Sequence, residues 1–261
     1  MEHSAVTDPE VRAAAHNLAE TYLALGRSAS GATTWGESGF NACTGPMEHP
    51  ICNFAVAHEL DATTCARLRQ LAMQRRCFSL YSLPHLDTEE EELKLEEQGF
   101  RLSHKLKVFL GEDVAPGEQL LSEAETPAER LKLAEFMMGQ FFHRQPTLFR
   151  RGIAEATARA THLRLLSAEG NGRLAGAVMV SEHEGTLGIY NLCVYSAFRR
   201  RGWGSAIVGS VARIAAQKGL RLTLQCEPSL AVWYETLGFR DVGSVAVFGL
   251  LRFKEIDIMG Q

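Results

Sequence analysis

The residues with the clearest chemical potential lie in one run, Leu192-Cys193-Val194-Tyr195-Ser196-Ala197-Phe198 followed by Arg199-Arg200-Arg201-Gly202-Trp203-Gly204-Ser205. An apolar strand-like stretch ends, a basic glycine-bearing turn follows, and Ile207, Val211 and Ile214 then share one helical face. Backbone N–H groups at a helix start lack partners and carry positive potential, and glycine lets a ligand approach closely. The run therefore reads as a cradle for a phosphate or pyrophosphate, reinforced by three arginines. It lacks the Gly-Lys-Ser/Thr of a Walker loop and the Gly-x-Gly-x-x-Gly spacing of a dinucleotide turn.

Other reactive groups read more plainly. Glu182-His183-Glu184 falls in a turn between two strands and is expected to be solvated. Cys193 has no histidine near it in sequence, which argues against a covalent nucleophile. Cys43, His49, Cys52 and His58 fit no zinc spacing, so no metal is expected. The acids from Asp87 to Glu92 favour the positive end of a helix that they begin.

The elements that must position the loop follow from periodicity. Thr7-Asp8-Pro9 opens a helix with Val11, Ala15, Leu18, Tyr22 and Leu25 on one side. Residues 27–50 are compatible with short strands and turns but have no clear pattern. From Ile51 the expected order is β-α-β-α-β: the run ICNFAVA, a helix to about Arg76, CFSLYSL, a charged helix to Gln98, and an alternating strand to Leu110. Residues 111–125 have no strong period and read as a linker, with a boundary near 113. Thr126-Pro127-Ala128-Glu129 is a capping box that opens a helix to about His143. A second helix is expected from Thr147 to Ala160. Strands Leu163–Ala168 and Leu174–Ser181 flank the Asn171-Gly172 turn, and a third runs from Leu187 to Val194. A helix ending at Gly219, a strand Leu220–Cys226, a short helix over Leu230–Leu237 and a strand around Val245–Leu251 complete the order.

The two halves repeat. Asn53-Phe54-Ala55-Val56 parallels Asn191-Leu192-Cys193-Val194, and Gly99-Phe100-Arg101 parallels Gly238-Phe239-Arg240, at offsets of 191 − 53 = 138 and 238 − 99 = 139. Two copies of one fold are implied. At the same offset the basic loop maps onto Asp61-Ala62-Thr63-Thr64-Cys65-Ala66, which has no glycine and a repelling carboxylate.

Arg199-Arg200-Arg201-Gly202-Trp203-Gly204, the strand Leu192-Cys193-Val194 before it, and Trp233-Tyr234-Glu235-Thr236-Leu237-Gly238-Phe239 together resemble the GNAT superfamily of acetyl-CoA-dependent N-acetyltransferases. The resemblance spans about residues 126–252, and fainter traces span 51–110. It implies an α+β protein of two GNAT-like halves, each a mixed, mostly antiparallel sheet flanked by helices: a degenerate half without a CoA loop (1–113) and a transferase half (114–261). It further implies that the backbone of Leu192, Cys193 and Val194 pairs with the pantetheine arm of acetyl-CoA, and that the N–H of Val194 polarises the thioester carbonyl. Arg199, Arg200, Arg201, Gly202, Trp203, Gly204 and Ser205 would hold the pyrophosphate. Tyr234 would donate a proton to the departing thiolate, whose pKa a phenol approaches. The strand glutamate that some members use as base corresponds to Gly188 here, so the base is unassigned. Tyr190, Asn191 and Glu227 are candidates to contact the acceptor or order a water.

The expected activity is transfer of an acetyl group to an amine by direct attack in a ternary complex. The alternative is a catalytically silent CoA-binding or scaffolding protein. The acceptor is expected to be a small-molecule or peptide amine. Lys and Arg number 27 against 31 Asp and Glu, so no global positive field exists for nucleic acid or an anionic membrane. The acidic start MEHSAVTDPE shows no leader, no stretch approaches the ~20 apolar residues of a membrane span, and six scattered cysteines make no disulfide framework. A cytoplasmic location is expected.

Overall fold

The computed structural model describes residues 9–86 and 88–251. Pro9 starts the first helix, α1 (Pro9–Ser28), and Ala14, Leu18 and Leu25 are buried on one face of it. The expected cap at Thr7-Asp8 lies outside the described residues, as does Asp87. β1 (Thr33–Glu37) and β2 (Phe40–Thr44) form a hairpin in the patternless stretch. β3 (Asn53–Ala57), α2 (Ala62–Met73), β4 (Ser79–Ser82), α3 (Glu89–Glu97) and β5 (Phe100–Gly111) follow in the expected order. The run ICNFAVA is shorter as a strand than expected, because Pro50 begins a 3-10 turn through Cys52. CFSLYSL likewise yields only four strand residues.

The second half begins with β6 (Leu121–Glu123), a strand within the stretch read as linker, paired with β7. α4 (Pro127–Phe141) carries the expected capping box, in which the Thr126 hydroxyl accepts the Glu129 N–H and Glu129 reaches back. α5 (Thr147–Arg159), β7 (Arg164–Gly170), β8 (Arg173–His183), β9 (Thr186–Val194), α6 (Trp203–Lys218), β10 (Arg221–Cys226), α7 (Ala231–Thr236) and β11 (Phe239–Leu250) complete the chain. Asn171 and Gly172 both take positive φ at the β7–β8 turn, as the Asn-Gly pair requires. β11 starts six residues before the expected Val245, because a bulge between Asp241 and Gly243 breaks its alternation.

The strands join in one sheet of order β1-β2-β3-β4-β11-β5-β10-β9-β8-β7-β6. The two halves exchange their last strands. The parallel pair β3/β4 is flanked by β11 of the second half, and the parallel pair β9/β10 by β5 of the first. β5 and β11 pair antiparallel along their lengths, and Leu106 faces Val245, its equivalent at the repeat offset of 139, so a pseudo-twofold passes between them. Alternation along β5 places Phe109 in the core of the second half and Val108 and Leu110 in the core beneath α1, all fully buried.

α1 is a second bond between the halves. It lies across β8 and β9 of the second half, and the fully buried Asn17 stitches it there. Its Nδ2 donates to the Ser181 carbonyl (3.0 Å) and to Thr186 Oγ1 (2.9 Å), and its Oδ1 accepts from the Tyr190 hydroxyl (2.8 Å). Asn17→Ala would orphan buried groups and is expected to lower stability by about 2–3 kcal/mol in urea unfolding, with an unchanged m value. A loss below about 0.5 kcal/mol would show that these bonds do not hold the halves together.

Candidate active site

Where β9 leaves β10, the sheet opens. The two strands pair in register from Thr186–Arg221 to Ile189–Leu224, and β9 then runs on to Val194 without a β10 partner. A β-bulge opposite β8, between Tyr190 and Cys193, marks the departure, and Asn191 sits there with φ +49°. Asparagine is among the residues that adopt this left-handed conformation most readily. The pair β3/β4 stays closed to Ala57, the last residue of β3, and β3 pairs with β2 without a bulge.

The backbone of Val194 faces this opening. The Tyr195 N–H donates to the Ala175 carbonyl (2.8 Å), so the adjacent Gly176–Val194 pair is of the kind that does not exchange hydrogen bonds. The N–H and C=O of Val194 therefore point away from β8, to the side β10 has vacated. The carbonyl is met there by Arg199, whose Nε donates to it at 3.0 Å, while Nη2 reaches Gln140.

Arg199 thus folds back to fasten the loop, and the loop itself is a ring of backbone donors. Arg200 (φ +59°) and Gly202 (φ +80°) are both left-handed, and Gly202 is the N-cap of α6 without any capping side chain. Among the described residues no backbone carbonyl or side chain takes the N–H groups from Arg200 to Ser205; the first helical bond is Ala206 N–H to the Gly202 carbonyl. Consecutive unpaired donors at a helix start, with exposed Arg200 and Arg201 beside them, fit a pyrophosphate. The Trp203 ring turns inward, edge-on to Phe198 at 5.7 Å.

α7 follows β10 and brings Tyr234 into the same core cluster that Val194, Leu192, Trp203 and Trp233 pack against. Tyr234 is 5% exposed and lies between Phe109 and Phe239. Burial pushes its phenol well above the ordinary range, with Cys226 nearby adding to the shift, so the resting hydroxyl stays protonated and lies further from a thiol's range than the free phenol expected from sequence. Cys193 is buried and its thiol is pushed up to about 12 by desolvation, which leaves no thiolate for covalent chemistry. Glu227 is exposed at the end of β10.

The structure explains why no carboxylate stands on β9. A Cβ built at Gly188 would lie 2.2 Å from Asn17 Oδ1 and 2.5 Å from the Tyr190 ring, so α1 occupies the space a side chain would need. Tyr190 is committed to Asn17 and core packing, and Asn191 forms the bulge. In the first half, the site equivalent to the donor loop is filled from within. Asp61 caps α2 by accepting the Thr64 N–H at 2.6 Å, an interaction that holds its carboxyl below the usual range. The turn Glu182-His183-Glu184 is held at the surface by an ion pair between Glu182 and Lys218 and a hydrogen bond between Glu184 and His16. Cys43 and Cys52 are buried, and among the described residues no cluster of three or more His, Cys, Asp or Glu is arranged to hold a metal.

On the other face of the opening, between the halves, is a cavity of about 180 Å³ whose wall includes Asn191. His49 lines it, packed against the rings of Phe142 and Phe149 at 5.6 and 4.5 Å. Its Nδ1 accepts the Ile51 N–H at 2.9 Å, which puts the ring proton on Nε2 and removes His49 as a base. Desolvation lowers its pKa to about 4. The folded protein therefore resists a proton that the unfolded chain accepts near pH 6.5. Stability is expected to be intact above about pH 6.5 and to fall as pH drops toward 4, by on the order of 3 kcal/mol from this group. A His49→Gln protein with the same acid sensitivity in thermal melts would refute the assignment.

The fold, opened between β9 and β10, is that of the GNAT family. The pattern described as "Acetyltransferase (GNAT) domain" matches residues 118–256, more than half of the chain, and the chain belongs to that family. No curated protein matches it. Among solved structures, a GCN5-related N-acetyltransferase from Kribbella flavida aligns at TM-score 0.65 with 14% identity, over 94% of this chain and 98% of that one. A putative GNAT-family acetyltransferase from Novosphingobium aromaticivorans aligns at 0.56 with 17% identity, over 84% and 92%. A tandem GNAT protein from the clavulanic acid biosynthesis pathway aligns at 0.56 with 12% identity, over 84% and 83%. The shared property is the fold, in its two-halved arrangement. No helix among the described residues is long and apolar enough to cross a membrane.

Proposed function

We propose that this chain transfers an acetyl group from acetyl-CoA to an amine by direct attack in a ternary complex, with one donor site, in residues 114–261. The observation that carries the reading is the opening beyond Ile189–Leu224, with the Val194 N–H turned into it and unpaired donors from Arg200 to Ser205 at its mouth. The edge of β9 beyond Ile189, from Leu192 through Val194, would take the pantetheine arm, with the Val194 N–H as the donor turned toward it, and the α6 start would take the pyrophosphate. The amine nitrogen would bond to the thioester carbon as the Val194 N–H stabilises the oxyanion, and the C–S bond would then break. Tyr234 would protonate the departing sulfur and regain its proton from water before the next turnover. Glu227, exposed at the rim, is the carboxylate proposed to pass the amine proton to water. Residues 1–113 would serve as the half without a donor site, shaping the acceptor side.

Initial rates of thiol release measured against both substrates should give intersecting double-reciprocal lines and require the amine. Parallel lines would point to an acetyl-enzyme and overturn direct attack. Tight acetyl-CoA binding with no amine-dependent release from a broad amine set would favour a silent binding protein.

A further inference from the structure

We propose that the cavity between the halves is the acceptor site, and that it takes an amine carrying one uncharged aromatic ring or an apolar group of that size. The proposal rests on acyl transfer at the Val194 opening and adds the acceptor's chemistry.

Size sets the first limit. A cavity of about 150 Å³ lined by apolar side chains holds a benzene ring, and this one is about 180 Å³. Its location sets the second. Asn191, the bulge residue that parts β9 from its neighbours, belongs to its wall, so a group lodged there stands on the strand that carries Val194.

The lining sets the chemistry. Tyr22 of α1 and Phe54 and Tyr81 of the first-half sheet meet edge to face, with centroids 4.9–6.3 Å apart, and form one aromatic wall. Met138, Phe142 and Ile153 of α4 and α5 close the other side. Among the described residues no Asp, Glu, Lys or Arg lines the cavity. A polyamine would bring charges with no carboxylate to meet them, and an acidic or phosphorylated acceptor would find no cation. His49 contributes a neutral ring.

The test uses the full chain with acetyl-CoA and four amines: tyramine, 2-phenylethylamine, spermidine and β-alanine. Binding of each amine is measured by calorimetry with and without acetyl-CoA, and turnover by thiol release. Tyramine or 2-phenylethylamine is expected to exceed spermidine and β-alanine in kcat/KM by about a hundredfold, as charged bodies are shut out. Leu25→Trp, which fills the cavity, should abolish aryl-amine binding while acetyl-CoA affinity stays unchanged. Preference for spermidine or β-alanine, or aryl-amine binding unaltered in the Leu25→Trp protein, would overturn the proposal. A wild-type protein that binds acetyl-CoA but neither aryl amine would also overturn it and leave the donor site standing. Failure to bind acetyl-CoA would instead overturn the donor-site reading.

Discussion

Replacing Tyr234 with phenylalanine is expected to lower kcat at least about a hundredfold while leaving acetyl-CoA affinity unchanged. The substitution removes one oxygen from a side chain whose ring is fixed by Phe109 and Phe239, at centroid distances of 6.2 and 5.7 Å, so packing and the β9–β10 opening are retained. The missing hydroxyl is the one polar atom that this buried ring could offer a departing thiolate. Burial raises its pKa, so it stays protonated across the working range and imposes no alkaline limb on the rate below that value. A variant that turns over at the wild-type rate would remove Tyr234 from the chemistry. A variant with weakened acetyl-CoA binding would give it a role in holding the donor.

Cutting the chain at residue 113 is expected to leave residues 114–261 unable to fold alone. The cut falls in a surface connection, yet β5 lies on its far side while being the strand between β10 and β11. Without it, β10 loses its antiparallel partner, and the second-half core loses Phe109, a fully buried ring of a kind whose truncation alone costs about 3–5 kcal/mol. Loss of α1 also strips Asn17 from Ser181, Thr186 and Tyr190. Together with the lost strand pairing, these reach the ~5–15 kcal/mol that holds a domain of ordinary stability. Circular dichroism and urea titration of 114–261 should show no cooperative transition, and addition of 1–113 should restore one. A cooperative, acetyl-CoA-binding 114–261 fragment would show that the exchanged strand is dispensable.

That exchange is a useful measure of what the amino-acid sequence discloses. The repeat offset equates β5 with β11 correctly, and the Gly-Phe-Arg starts are local signals that survive in each copy. Which parallel pair each strand flanks is a long-range choice that local pattern does not carry. The turn from β9 into α6, proposed to hold the donor, was legible because glycine, arginine and the switch from strand to helix periodicity coincide within a dozen residues. The opening above it was not, because it depends on a bulge set by the backbone of Asn191 and on where β10 stops pairing. Gly188 shows the same limit from the other side. A missing carboxylate is plain in the sequence, whereas its cause, Asn17 on a helix some 170 residues away, needs the packed structure. β6 is only three residues long and mostly exposed, too short for alternation to register. His49 stood out only as part of a loose Cys/His group, and its place in an aromatic wall comes from α4 and α5 of the other half.

The central claim is a single donor site at the β9–β10 opening, and calorimetric titration of the full chain with acetyl-CoA tests it most directly. Gly202→Glu should be titrated beside the wild type, since it forces a side chain into φ +80° and sets a carboxylate among the unpaired N–H groups of the α6 start. One site per chain in the wild type, lost in a Gly202→Glu protein that still melts cooperatively, is the predicted result. No binding in the wild type, two equivalent sites, or equal affinity in the variant would contradict it.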